Sequence, residues 1–370
     1  MPTNKYGVSD ELTCYEIFWR DTYHFLNERG YQLRPRYHPD WVPSWKPGKE
    51  VHAEDWHSYS LYLQGRGAVN DAFSLKKQEK VVLKVIESNE LPILRILNAP
   101  NVRALPNNRT VPILETLHLK DDPDKRLIIV MPFLRWFFDP PFETLHQVLD
   151  ASRQLLSGLA FIHEHHIAHR LVFLIRFILK QRADVCFTRD ACYLNIVMDS
   201  SLLIPKGFHL TNPWIAADAK SSYESRSRSS VHPINYYYID FELSVIVNDD
   251  NPLAYGRVGL DPSVPEWATP DEPYDPYKLD IYQLGNVFRK EFTETYIGLE
   301  FLLPLVESMT RTLPSERPTA SEALATLEAL SGTPSRRICF RTYGSGMRTK
   351  LKLLDLFDKY KSKLLPVRTP

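Results

Sequence analysis

Cysteine is scarce in this sequence and follows no binding pattern. Four cysteines (Cys14, Cys186, Cys192 and Cys339) are scattered over 370 residues, and none of them forms a CxxC pair. This distribution argues against a disulfide framework and against a cysteine zinc site, and it is typical of a reducing compartment. We therefore expect an intracellular protein, cytoplasmic or nuclear.

Long apolar runs and an overall charge are also lacking. The run LVFLIRFIL (171–179) contains an arginine and is about half of the ~20 residues that span a bilayer. The first residues, MPTNKYGVSDELTCYEIFW, contain no apolar core of a secretory signal. Forty-five Lys and Arg balance 45 Asp and Glu, so the total charge does not indicate nucleic acid. We expect no transmembrane segment and no nucleic-acid partner.

Basic residues are concentrated near the end of the sequence. Between Arg336 and residue 370, ten Lys and Arg occur with only two acidic residues. This predicts a basic C-terminal tail over 331–370, which is either simply solvated or docks an anionic partner.

Two periodicities divide the remaining chain. KVVLKVI, TVPILETLHL and RLIIVMPF are typical of strands in a mostly antiparallel sheet, whereas helical spacing dominates after residue 142. Residues 10–30 are also helical in pattern and end at Gly30, before a Pro- and Trp-rich stretch suited to wrapping over a surface. We predict an α+β fold with two lobes: an N-terminal extension (1–55) packed on a small sheet lobe (56–132), then a larger helical lobe (133–330) with inserts at 171–189 and about 200–233.

A polar segment in the second insert, SYESRSRSS (222–230), is rich in serine and arginine. Its composition favours a flexible surface insertion, with a phosphorylation target as the alternative.

A lysine in an apolar strand is the first candidate for chemistry. Lys84 lies in the middle of VVLKVI, and Glu90 follows six positions later at the start of a short helix-like segment. A buried lysine needs a partner or an anion, so a Lys84–Glu90 pair that presents an ammonium to a phosphate is one solution. A lysine on an edge strand whose ammonium reaches solvent is the other.

Three oxygen-bearing side chains follow in order. Asp190 and Asn195 stand five residues apart, and Asp240 comes directly after the strand-like YYYI. Two carboxylates and an amide suit Mg²⁺, which prefers oxygen ligands and keeps waters and substrate phosphates.

In this order, these residues resemble the eukaryotic protein kinase domain, and more narrowly the FunK-type kinase-like proteins of fungal genomes. The narrower resemblance also includes FWRDTYHFLNERGYQLRPRYHPDWVPSW, NYYYIDFELSV and PYDPYKLDIYQLGNVF, and the whole resemblance covers roughly residues 14–330. It implies a two-lobed protein-kinase-like fold, ATP and Mg²⁺ as cofactors, and a protein substrate or docking partner.

The resemblance also implies a role for each matching residue. In the nucleotide site, Lys84 with Gly65 and Gly67 holds the phosphates, Glu90 pairs with Lys84, and VMPFL brings Met131 and Phe133 to adenine. Asp190 is the catalytic base, and Asn195 and Asp240 are metal ligands. The matching structural residues are His169, Phe241, Glu266, Asp280 and Arg317.

The sequence departs from the kinase pattern at four places. In LQGRGAVNDAF (63–73), Asn70 stands where a third loop glycine is expected, and Glu242 replaces the glycine after Asp240-Phe241. Cys192 occupies the position where serine/threonine kinases carry lysine. Finally, Pro92 and the short spacing after Lys84 require a short pairing helix, because proline is tolerated only in a first turn.

A block of nineteen residues, 171–189, separates His169-Arg170 from Asp190. Without it, the chain would read as one continuous HRDxxxxN loop that ends at Asn195. One hypothesis is a retained short intron, since nineteen codons are an in-frame length and the block is compositionally odd. The alternative is a real insert, which would leave an apolar stretch exposed beside the loop.

Three functions are compatible with these residues. The first is an ATP/Mg-dependent protein kinase that acts on Ser/Thr hydroxyls. The second is a catalytically weak or dead pseudokinase that serves as a nucleotide-binding scaffold, and the third is a kinase-fold enzyme that phosphorylates a small molecule.

Overall fold

A computed structural model describes most of the chain. The described residues are 12, 14–42, 68–87, 90–119, 122, 125–170, 195–210, 213–218, 220–248, 250, 252–257, 263–269, 271–330 and 337–341. Several predictions concern residues outside these ranges: Gly65, Gly67, Asp190, Cys192, the block 171–189 and most of the basic tail.

The predicted antiparallel sheet is confirmed. Five strands lie side by side with every neighbouring pair antiparallel. In spatial order they are β1 (Tyr31–Leu33), β2 (Val69–Ser74), β3 (Glu79–Ile86), β5 (Leu127–Pro132) and β4 (Glu115–His118). Because successive residues of a strand point to opposite faces, Val81 and Leu83 of β3 pack on the outer face, and Val82 and Ile86 on the inner face.

The N-terminal extension covers the outer face of this sheet. Helices α1 (Cys14–Asp21) and α2 (Tyr23–Glu28) bury Trp19 and Leu26 against it. After α2 the chain turns at Gly30, whose φ of +83° is unfavourable for residues with a Cβ, and enters β1. The extension therefore also contributes the edge strand of the sheet.

The rest of the chain is mainly helical, as predicted. Two helices follow β3, α3 (Leu91–Asn98) and α4 (Pro100–Arg103), and four more come after residue 144: α5 (Leu145–Glu164), α6 (Pro276–Phe288), α7 (Leu303–Met309) and α8 (Ala320–Leu330). A capping bond lies at the start of α8, where the backbone N of Thr319 donates to Glu322 Oε2 at 2.8 Å. The α+β class with a sheet lobe and a larger helical lobe is confirmed.

Short strands after residue 134 form three small sheets. Strands β6 (Arg135–Trp136), β8 (Ile196–Met198) and β9 (Tyr236–Tyr238) form one sheet, in the order β6-β8-β9. Two further pairs are β7 (Ile167–Ala168) with β10 (Val245–Ile246), and β11 (Tyr296–Ile297) with β12 (Cys339–Phe340).

The insert between β8 and β9 is anchored, which corrects the expectation of a flexible polar segment. Arg135 donates to the backbone oxygen of Pro213 at 2.9 Å, and its guanidinium lies 4.5 Å from the ring centres of both Phe208 and Tyr223. Arg228, inside the Ser/Arg-rich stretch, is fully buried. Composition did not reveal this, because the two backbone acceptors of Arg228 lie about 90 residues earlier in the chain.

Within the described part of the chain, no helix has the length and apolar character required to cross a membrane.

Candidate functional site

The strand lysine and the helix glutamate form the expected pair. Lys84 Nζ lies 2.8 Å from both carboxylate oxygens of Glu90, and both residues are buried. Glu90 is the N-cap residue of α3, and Pro92 falls in the first turn of that helix. The predicted short helix is therefore present, with proline where its missing N–H costs no hydrogen bond.

Asp240 joins the same cluster from the helical lobe. Its Oδ1 atom lies 2.9 Å from Lys84 Nζ, and the backbone N of Phe241 donates to Glu90 Oε1 at 3.2 Å. Asp240 has a φ of +67°, a left-handed conformation that is uncommon for a residue with a side chain. Burial alone would lower the pKa of Lys84, but the charges of Asp240 and Glu90 outweigh it and raise that pKa. The lysine is thus a firmly charged ammonium.

Asn195 and Asp240 are brought to matching ends of two paired strands. Asn195 immediately precedes β8, Asp240 lies two residues after β9, and the backbone N of Ile239 donates to the backbone oxygen of Asn195 at 3.0 Å. Among the described residues, no group of three or more His, Cys, Asp or Glu side chains could hold a metal by itself. The amide and the carboxylate fit Mg²⁺ only where phosphate oxygens and water complete its shell, which is how this ion usually binds.

Asp280 holds the backbone on the other side of the site. This fully buried carboxylate accepts hydrogen bonds from the backbone N of His169 (Oδ2, 2.7 Å) and of Arg170 (Oδ1, 2.6 Å). His163 Nε2 lies 3.0 Å from Oδ2 of the same carboxylate. Arg170 has a φ of +56°, so Asp280 stabilises a left-handed turn at the point where the chain leaves β7.

His169 links this turn to the Asp240 segment. Its Nε2 lies 3.1 Å from the backbone oxygen of Ile239, and its ring centre is 4.6 Å from that of Phe241. Burial lowers the pKa of His169 more than the neighbouring carboxylates raise it, so the ring is neutral. His169 and Phe241 therefore have a packing role.

Glu266 and Arg317 form a buried bidentate pair in the helical lobe. Arg317 Nη1 lies 2.5 Å from Glu266 Oε1, and Nη2 lies 3.0 Å from Oε2. Arg317 also donates to the backbone oxygens of Arg311 and Lys278, at 2.8 Å each. The resemblance implies a structural role for both residues, and the structure brings them into direct contact.

The segment expected to bind adenine has a partner that the sequence did not indicate. Met131, at the end of β5, is buried on the inner face of the sheet. The ring of Phe133 lies 4.7 Å from that of Phe208 in the insert, and 5.6 Å from Nζ of Lys80 in β3. No pattern in the sequence singles out Phe208, because the contact depends on how the insert folds back.

The position predicted for a third loop glycine lies inside the sheet. Asn70 belongs to β2 opposite Leu83, is almost fully buried, and its Oδ1 accepts a hydrogen bond from Arg34 Nη2 at 2.9 Å. Arg34 in turn pairs with Asp71 at 2.8 Å. The polar side chain at position 70 is therefore used to attach the N-terminal extension to the sheet.

Together, these contacts give the chain a two-lobed, protein-kinase-like α+β fold. Lys84, Glu90 and Asp240 meet in one cluster, Asn195 lies at the adjoining strand end, and Asp280 holds the backbone that precedes block 171–189. Asp190, the expected catalytic base, lies outside the described residues.

Comparisons with known proteins add little to this geometry. No protein-family model matches the sequence, and no curated protein does. Among solved structures, the chain is similar to the Rad53 kinase domain with SCD2 in complex with AMPPNP, at 17% identity and a TM-score of 0.40. The similarity covers 75% of this chain and 90% of that one. A likeness at this level identifies no activity.

Proposed function

We propose that the chain is an ATP/Mg-dependent protein kinase that transfers the γ-phosphoryl group to a Ser/Thr hydroxyl of a protein. The observation that carries this proposal is the position of Lys84, whose charged ammonium lies between Glu90 and Asp240 at 2.8 and 2.9 Å. In such a cluster the Lys84 ammonium can bind phosphate oxygens, and the Asp240 carboxylate can bind a metal ion.

Each residue then has a distinct task. Lys84 binds phosphate oxygens while Glu90 keeps its ammonium in place, and Asn195 and Asp240 would hold Mg²⁺ beside the same phosphates. The metal supplies charge neutralisation as the phosphoryl group moves. In the step itself, the substrate oxygen bonds to the γ-phosphorus, the bond to the ADP oxygen breaks, and Asp190 accepts the hydroxyl proton.

The backbone contacts support the positioning that this reaction needs. Asp280 fixes the turn at His169 and Arg170 with two short hydrogen bonds, and His169 connects that turn to Ile239, next to Asp240. Phosphoryl transfer depends mainly on positioning and electrostatics. A rigid frame on both sides of the metal ligands therefore favours catalysis.

A pseudokinase is the second candidate. The departures at Asn70, Glu242 and Cys192 favour it, as does the block that separates Arg170 from Asp190. The decisive question is therefore whether label is transferred.

The test is transfer of radiolabelled γ-phosphate to casein, with the full chain, an Asp190→Asn variant and an Asp271→Asn control. Asp271 is exposed in the helical lobe. We expect transfer by the wild type and the control, and a loss of roughly 100-fold or more in Asp190→Asn. Binding of Mg·AMPPNP without any transfer would support the scaffold instead, and unchanged transfer in Asp190→Asn would show that the base is another residue.

Sequencing of the mature transcript across codons 160–200 addresses block 171–189. If the nineteen codons are absent, the working protein has an uninterrupted HRDxxxxN loop and the kinase proposal is strengthened. If they are present, the loop is divided in the protein, and the scaffold becomes the better proposal.

A further inference from the structure

One carboxylate of the helical lobe accepts four hydrogen bonds from the Ser/Arg-rich stretch. Glu143, two residues before α5, accepts hydrogen bonds at Oε2 from Ser227 Oγ (2.6 Å) and Ser229 Oγ (2.8 Å). The backbone N atoms of Arg228 and Ser229 donate to the same carboxylate at 3.2 and 3.3 Å. Burial alone would raise the pKa of Glu143, but these hydrogen bonds lower it, so the group is a carboxylate at neutral pH.

Between the two serines, Arg228 is inserted into the protein. It donates to the backbone oxygens of Phe137 and Pro140, at 2.7 Å each, and to the hydroxyl of Tyr236 at 2.9 Å. Its Nη2 also lies 3.3 Å from the sulfur of Met198. A guanidinium in this position is stable only while its acceptors surround it, since an unpaired buried charge is costly.

Arg228 thereby holds the strand pair that carries the candidate metal ligands. Met198 and Tyr236 are opposite each other at one end of β8 and β9. At the other end of the same pair stand Asn195 and, two residues after β9, Asp240. Whatever dislodges Arg228 therefore loosens the strand pair that sets the spacing of Asn195 and Asp240.

The two serines are the accessible part of this arrangement. Ser227 and Ser229 are both exposed, and the exposed Arg226 stands one residue before Ser227 and three before Ser229. Basic residues beside a serine are the feature by which arginine-directed protein kinases select substrates. Both hydroxyls use their only proton in the bond to Glu143, and a phosphate ester has no such proton to donate.

We propose that Ser227 and Ser229 form a phosphorylation-controlled latch, which holds the insert to Glu143 when unmodified and releases it when either serine is phosphorylated. The serine oxygen bonds to the γ-phosphorus of ATP, the bond to the ADP oxygen breaks, and the hydroxyl proton leaves to the base of an arginine-directed protein kinase. The product carries close to two negative charges beside the Glu143 carboxylate. Repulsion then replaces the two hydrogen bonds.

The latch does not depend on the chain being a kinase itself, and its test does not use activity. The full chain is treated with an arginine-directed protein kinase and Mg·ATP, and the modified serines are mapped by mass spectrometry. Separately, phosphoserine is installed during synthesis at 227, at 229, or at 225 as a matched control. Ser225 is exposed in the same stretch.

We expect modification at Ser227 or Ser229, and a fall in melting temperature of about 3 °C or more for phosphoserine at either position. Amide exchange should become faster in 136–142, 196–198 and 236–238, while phosphoserine at 225 changes neither readout. In a Glu143→Gln background the fall should be smaller, because the repelling charge is gone. No phosphate at 227 or 229, a stabilising effect, or an equal fall with Glu143→Gln would each overturn the latch.

Discussion

Lys84 and Asp240, 156 residues apart in the chain, form an ion pair with 2.9 Å between Nζ and Oδ1. The same ammonium is 2.8 Å from each oxygen of Glu90, so one lysine balances two carboxylates from different lobes. A metal ion that binds Asp240 therefore has to compete with Lys84 for that carboxylate. Under the proposed function, phosphate oxygens that attract the ammonium would ease the exchange, and nucleotide binding would then be coupled to metal binding.

Lys84→Met should weaken both nucleotide binding and folding. Two buried carboxylates would lose their shared counter-ion, and we expect the free energy of unfolding to fall by about 3 kcal/mol at pH 7. Urea denaturation measures this loss, and titration with Mg·AMPPNP measures binding. Lys76→Met is the control, because Lys76 is exposed on the turn between β2 and β3. Equal midpoints for the two variants would contradict the role of Lys84 as a shared counter-ion.

Arg317→Lys should destabilise the helical lobe although it keeps the charge. Lysine cannot reproduce the two parallel bonds to Glu266 together with those to the backbone oxygens of Arg311 and Lys278. We expect the free energy of unfolding to fall by about 2 kcal/mol in urea denaturation. Arg311→Lys, at an exposed position, should leave it unchanged. If both variants unfold at the same urea concentration as the wild type, the paired geometry contributes nothing to stability.

The parts of the site that could be predicted are those with a local signature. Three patterns can be interpreted without knowledge of the fold. They are an apolar strand interrupted by Lys84, a proline just after Glu90, and acidic residues directly after apolar runs. Asp280 and Arg317 were found through the order of motifs, and the structure places each of them in buried hydrogen bonds. Thr319 and Glu322 are close in sequence, so their capping bond was also predictable.

The contacts that were missed depend on distant partners. Arg228 lies in a polar run that resembles a surface loop, and only the backbone oxygens of Phe137 and Pro140 explain why it is buried. Strand β1 has three residues, which is too short for a period-two pattern. Asn70 was assigned to a loop by counting from glycines, whereas its hydrogen bond to Arg34 and its place opposite Leu83 put it in the sheet.

Asp71→Asn should remove a part of the stability that depends on pH. Burial alone would raise the pKa of Asp71, but Arg34 and Lys80 outweigh it and lower the pKa. A lowered pKa means that the stabilising contribution is present above the ordinary value of about 4 and is lost as the pH falls through the folded value. We expect the variant to be less stable by about 2 kcal/mol at pH 7, with the difference shrinking towards pH 3.

Urea denaturation of both proteins between pH 7 and pH 3 checks this expectation, since other carboxylates titrate equally in the two proteins and cancel in the difference. Asp40→Asn is the control, at an exposed position near the end of the described extension. A difference that stays constant over the whole range would mean that the loss comes from packing and not from the charge of Asp71.

Asp280→Asn should disturb the turn at His169 and Arg170 without removing any bulk. The carboxylate accepts the backbone N–H groups of His169 and Arg170 through different oxygens, so an amide necessarily places its NH₂ group against one of these donors. One backbone N–H would lose its acceptor in a fully buried place, and we expect the free energy of unfolding to fall by about 2–3 kcal/mol. Amide exchange at 168–170 should become faster, and the exposed Asp271→Asn control should change neither quantity. Slow exchange at 168–170 in a destabilised Asp280→Asn protein would show that the turn is held by other contacts, and the positioning role of Asp280 would then be wrong.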